Sequence, residues 1–113
     1  SVSPPQYVGR DAVISDSIIT EGCEIYGTVI RSVLSNDVVV EEGAVVMDSV
    51  IMANTHIGKD AKINYAILDE NITVETGATV GEAKETAKGI AVIGNGCTVE
   101  AGSTVEAGAM ISE

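Results

Sequence analysis

From Val8 onward an aliphatic residue recurs every five or six positions: Val8, Ile14, Ile19, Ile25, Val29, Leu34, Val40, Val46, Ile51, Ile57, Ile63, Leu68, Val74 and Val80, then, after a gap, Ile93, Val99, Val105 and Ile111. Two residues ahead of 15 of these 18 positions stands Ala, Ser, Gly, Cys or Thr; Gln6, Val38 and Ile72 are the exceptions. Between Leu34 and Val80 three steps close a period of 17 residues.

So short a period predicts a solenoid, because one repeat cannot bury its own apolar face and must stack on its neighbours. Residues two apart share a face of an extended strand, so the small and the aliphatic residue of each step point inward together. Three such strands wrap a narrow triangular prism, the small residues giving clearance and the branched ones filling it. Steps of five and six do not make a helical stripe, and the Val, Ile and Thr content favours strands. The expected fold is therefore all-β, a single-stranded parallel β-helix of about six coils, roughly 29 Å long at the inter-strand spacing. Hexad prisms of this kind are wound left-handed, against the usual rule for parallel crossovers. The prism is expected over 8–113, with 1–7 as a linker.

Two departures break the rhythm. The step from Ile25 to Val29 shrinks to four, with Gly27 at the corner, and predicts one clipped coil. Between Val80 and Ile93 the chain leaves the prism through 81–89, a helix-prone run bracketed by Gly81 and Gly89. On a helix Lys84 and Lys88 would lie one turn apart, placed to contact a partner or an anionic ligand.

The residue before each aliphatic faces outward. On one side of the prism these residues are Ile18, Val33, Val50 and Ile67, continued by Val92 and Met110, whereas the other two sides mix Glu24, His56, Lys62 and threonines with valines. An exposed aliphatic row on an otherwise acidic protein marks an interface.

Composition narrows the function. The aromatics are only Tyr7, Tyr26 and Tyr65, as a thin core requires. A net charge of −11 argues against nucleic acid as a partner. No apolar run has the length of a membrane span and Ser1–Arg10 lacks a signal-peptide layout, so the expected compartment is the cytoplasm. Cys23 and Cys97 fall on inward positions of one side, four coils apart, roughly 19 Å at the coil spacing, beyond the reach of a disulfide. Chemistry is scarce: there is no phosphate loop, nucleophile motif or metal-ligand spacing, and neither a catalytic residue nor a metal site is expected. His56, the single histidine, holds an outward position of the kind that prism-shaped acyltransferases use for a base, but nothing near it in sequence orients it.

Several segments together resemble one family: Pro4-Pro5-Gln6-Tyr7-Val8; Ser17-Ile18-Ile19 with Glu21-Gly22-Cys23; Gly27-Thr28-Val29 leading into Ser32-Val33-Leu34-Ser35; Asp48-Ser49-Val50-Ile51-Met52; and Val80-Gly81-Glu82. They are similar to the C-terminal β-helix of bacterial glucose-1-phosphate adenylyltransferase, or ADP-glucose pyrophosphorylase, over nearly the whole sequence. The resemblance implies a fragment whose first partner is its own N-terminal catalytic domain. That domain makes ADP-glucose from ATP and glucose 1-phosphate for glycogen synthesis, with magnesium; no cofactor is implied for the residues here. It also implies homo-oligomer assembly, a tetramer in the parent enzyme, and a share in sites for a sugar-phosphate or nucleotide effector. Some members carry a basic residue after the Ser-Val-Leu segment, where this protein has Asn36 and Asp37. Arg31, which flanks the segment, is then the first candidate anion contact, followed by Lys84 and Lys88. Two other functions fit the pattern: the β-helix of a noncatalytic regulatory paralogue, and a stand-alone trimeric acyltransferase using His56.

Overall fold

The computed structural model describes residues 6–112, which fold into eighteen short strands and, among the described residues, no helix. In sequence order they are β1 (Tyr7–Val8), β2 (Val13–Ser15), β3 (Ile18–Ile19), β4 (Glu24–Ile25), β5 (Thr28–Ile30), β6 (Val33–Leu34), β7 (Val39–Val40), β8 (Val45–Met47) and β9 (Val50–Ile51). The second half continues with β10 (His56–Ile57), β11 (Lys62–Asn64), β12 (Ala66–Leu68), β13 (Thr73–Val74), β14 (Thr79–Gly81), β15 (Ala91–Ile93), β16 (Thr98–Val99), β17 (Thr104–Val105) and β18 (Met110–Ile111). Every third strand pairs in parallel, giving three six-stranded sheets: A from β1 to β16, B from β2 to β17 and C from β3 to β18. This is the expected six-coil prism, with the architecture of a left-handed β-helix. The expected linker lies largely outside the described residues, and Tyr7 already belongs to β1.

The interior follows from the alternation. Ile25, Val29, Leu34, Val40, Val46, Ile51, Ile57, Ile63, Leu68, Val74, Val80 and Ile93 are all fully buried. Val38 and Ile72, bulky where the pattern is small, are buried too, alternating along sheet A with the smaller Cys23, Thr55 and Cys97. Both cysteines are free, and burial pushes the Cys23 thiol up. Among the described residues none covers the two ends of the prism, where Val8, Ile14 and Ile111, inward by phase, are exposed.

The corners carry the backbone cost. Residues with positive φ stack there in columns, many of them Asn, Asp or Gly, which tolerate the left-handed region. Between sheets B and C the column is Asp16, Arg31, Asp48 and Tyr65, with φ of 52, 45, 52 and 50°; Arg31 and Tyr65 are unusual occupants. Beside this column runs a serine ladder. Ser17, Ser32 and Ser49 each donate to the carbonyl two residues back, and each accepts the backbone N–H of Ser32, Ser49 and Ala66 respectively, one coil on. At the clipped corner only Tyr26 and Gly27 separate β4 from β5. Gly27 lies against the carbonyls of Glu41 and Ala44, where no Cβ fits.

The excursion differs from its expectation in two respects. Gly81 still pairs with Asn64 as the last residue of β14, and the run that follows makes one helical turn instead of a helix, Ala87 N–H donating to Ala83 O at 2.9 Å.

Candidate functional site

The outward row of sheet C is continuous in the structure. Ile18, Val33, Val50, Ile67, Val92 and Met110 are successive register partners, the last steps bridging the excursion. Apart from the partly covered Val92, exposure along the row runs from 37% at Ile67 to 79% at Met110. One face of the prism therefore offers water an aliphatic strip that spans every coil, whereas the sheet A row reads Tyr7, Glu24, Val39, His56, Thr73 and Thr98. Hydrophobic burial requires only apolar area removed from water, so the strip suits a partner surface of the same kind.

Arg31 projects from the corner bordering this strip. Its guanidinium donates from Nε to Asp48 Oδ1 at 2.7 Å and from Nη2 to Asp48 Oδ2 at 3.1 Å, a two-point bond joining consecutive coils. That bond holds the Asp48 carboxyl below the usual carboxylate range, against a weaker opposing effect of burial and with help from Lys84. The Arg31 guanidinium is raised in turn. The excursion brings Lys84 to the depression that Arg31, Asp48 and Tyr65 share with Val33 and Val50. Lys88 instead borders a separate depression with Glu82, Thr104 and Glu106. Of the three candidate cations, Arg31 and Lys84 thus come together at the edge of the apolar strip and Lys88 does not join them. Sequence reasoning misses Asp48, although its distance of one 17-residue period from Arg31 is a usable signal.

His56 sits midway along sheet A in an open depression lined by Glu41, Lys59, Thr73 and Glu75. Nothing near it in sequence orients it, but the fold brings up a residue from 15 positions earlier: its Nε2 lies 2.6 Å from Glu41 Oε2. An ionised carboxylate only accepts, so Nε2 carries the hydrogen and the lone pair of the neutral ring is at Nδ1. Glu41 follows Val40, the partner of Ile57, and reaches His56 diagonally from the coil before. Both side chains are substantially exposed. Among the described residues no group of three or more His, Cys, Asp or Glu side chains is placed to hold a metal ion, and no helix is long and apolar enough to cross a membrane.

Comparison with known proteins adds to this geometry. The sequence matches the family model described as GlmU-like, C-terminal hexapeptide, over residues 4–99. It is 42% identical over 83 residues to a glucose-1-phosphate adenylyltransferase of Bacillus cytotoxicus, covering 74% of this sequence and 22% of that protein. The same-named protein of Bacillus thuringiensis is 43% identical over 81 residues, covering 72% of this sequence and 22% of its own length. The matched residues thus span about a fifth of the length of these relatives. Among solved structures, a mutant GDP-perosamine N-acetyltransferase from Caulobacter crescentus, in complex with CoA and GDP-perosamine, superposes with a TM-score of 0.65 at 21% identity. That match covers 91% of this protein and 51% of the acetyltransferase, and it supports the fold alone.

Proposed function

The chain belongs to the GlmU-like C-terminal hexapeptide family, and from that premise we propose that it is the assembly and allosteric-regulatory domain of a glucose-1-phosphate adenylyltransferase. In this reading a nucleotidyltransferase domain elsewhere in the parent polypeptide makes ADP-glucose from ATP and glucose 1-phosphate in the cytoplasm, with magnesium, and the β-helix takes no direct part in the chemistry. The observation that carries the proposal is the unbroken aliphatic row on sheet C, a surface suited to packing against another domain or subunit in a tetrameric parent. The chain's 42% identity to the adenylyltransferase of Bacillus cytotoxicus supports that choice of parent. Effector binding is assigned to the corner beside the row, where Arg31 and Lys84 converge, with Lys88 as an outlying cation.

The test is to express the complete coding sequence containing these residues and to measure ADP-glucose formation from ATP and glucose 1-phosphate, together with the mass of the assembly. The expected result is turnover by a tetramer whose response to phosphorylated sugars or nucleotides weakens when Arg31 and Lys84 are replaced by alanine. A folded parent that binds such effectors without turnover would be a regulatory paralogue.

One observation favours a second reading, a stand-alone acyltransferase: Glu41 orients His56 in an open depression and leaves Nδ1 free to accept a proton. Acetyl transfer from acetyl-CoA by the isolated protein, abolished by His56→Ala, would replace the first reading with this one.

A further inference from the structure

Five asparagines stand among the described residues, and only Asn95 is followed by glycine. We propose that Asn95–Gly96 is a modification site, a deamidation site that the stacking of the last coil on the one before it holds shut. The chemistry requires no enzyme. The Gly96 backbone nitrogen, on losing its proton, attacks Asn95 Cγ; a new bond forms between these two atoms, the bond from Cγ to Nδ2 breaks, and the amide nitrogen leaves as ammonia. Water then opens the resulting five-membered imide at either carbonyl, giving aspartate or isoaspartate. Glycine after the asparagine matters because no Cβ obstructs that attack. Both residues are exposed, so water reaches them.

Two bonds to the preceding coil oppose the reaction. Gly96 N–H donates to Glu70 O at 3.1 Å, which ties up the nitrogen that must attack. Asn71 Nδ2 donates to Asn95 Oδ1 at 3.1 Å, which fixes the side chain that must swing. The corner is closed by Cys97 N–H donating to Gly94 O at 3.3 Å. The latch is only as firm as the coil that carries it: among the described residues β16, the strand that follows, has β13 as its one neighbour. Local opening of that coil frees both groups at once. Asn36 provides an internal control, since it holds the equivalent corner position but precedes Asp37, whose N–H donates to Glu21 O at 3.1 Å. Either product adds a negative charge beside Asp69 and Glu70. Isoaspartate also lengthens the backbone at the corner and pulls Gly96 N–H away from Glu70 O, so the modification would loosen the coil that restrained it.

Peptide mapping by mass spectrometry during incubation in mildly alkaline buffer tests this. The protein is compared folded, unfolded in urea, and folded with Asn71→Gly, a substitution that keeps the left-handed φ of 61° available at that position while removing the amide donor. Conversion at Asn95 is expected to be at least about tenfold slower in the folded protein than in urea, because it then proceeds only through the open fraction. Asn71→Gly should fall between the two, with Asn36 unchanged in every folded sample. Equal rates folded and unfolded, or no conversion at Asn95 in urea, would overturn the proposal without any variant. A folded Asn71→Gly protein that converts at the wild-type rate would remove the latch.

Discussion

Sheet C carries two aliphatic ladders one residue apart. Inside run Leu34, Ile51, Leu68 and Ile93, all fully buried; outside run Val33, Val50, Ile67 and Val92, all partly open to water. A one-residue slip would exchange them, and since both are aliphatic the hydrophobic effect alone would hardly oppose the exchange. What fixes the phase is polar: Ser17, Ser32 and Ser49, whose hydroxyls bond both within their own corner and to the next coil, work only when they point inward beside the core. Residue type therefore does not distinguish core from interface on this face; over its first three coils the serine column does.

Four experiments probe the contrast. Ile51→Ala, on the inner ladder, should cost about 2–5 kcal/mol by leaving a cavity in a fully enclosed site, as read from urea denaturation. Ser49→Ala should cost about 1–3 kcal/mol in the same assay, because the Ala66 N–H loses its acceptor; a neutral outcome would mean the ladder does not set the phase. Val50→Asp, one residue from Ile51, should cost about 1 kcal/mol or less in folding yet measurably weaken self-association of the parent protein by analytical ultracentrifugation. Unchanged assembly would remove the interface. The smallest effect belongs to the edge of the strip. Asp48 has its carboxyl lowered by Arg31, so the pair's contribution is present above the unfolded carboxylate pKa, about 3.9, and disappears as pH falls through the lower folded value. The melting temperature of the wild type should slightly exceed that of Asp48→Asn near neutrality and converge with it in acid, a modest difference because the Arg31 end of the pair is half open to water.

Much of this was legible in the sequence because strand alternation is rigid. Two-residue spacing assigned Ile51 inward and Val50 outward, and counting coils carried the outer row across the excursion from Ile67 to Val92 with no intervening period to follow. The same counting failed where chemistry depends on diagonals and corners. Glu41 reaches His56 from the coil before, off the period by the two residues of a diagonal. The clipped corner at Gly27, by contrast, was announced by its four-residue step, and counting coils across it still placed Ile18 beside Val33 although the offset there is only 15 residues. Nothing in the sequence marks Arg31 for the left-handed region, where arginine has no intrinsic preference, so its orientation toward Asp48 had to be seen. The excursion followed its own composition only as far as one turn, since a short run anchored at both ends gains too little to nucleate more.

The parallel register gives the molecule a length that changes only in whole treads of roughly 4.8 Å. Duplicating or deleting one 17-residue tread would leave every remaining neighbour pair intact and move only the far end. A partner gripping the aliphatic strip would sense the column as a ruler graduated in single coils, so a gain or loss of one coil would retune the reach of the assembly without redesigning any contact.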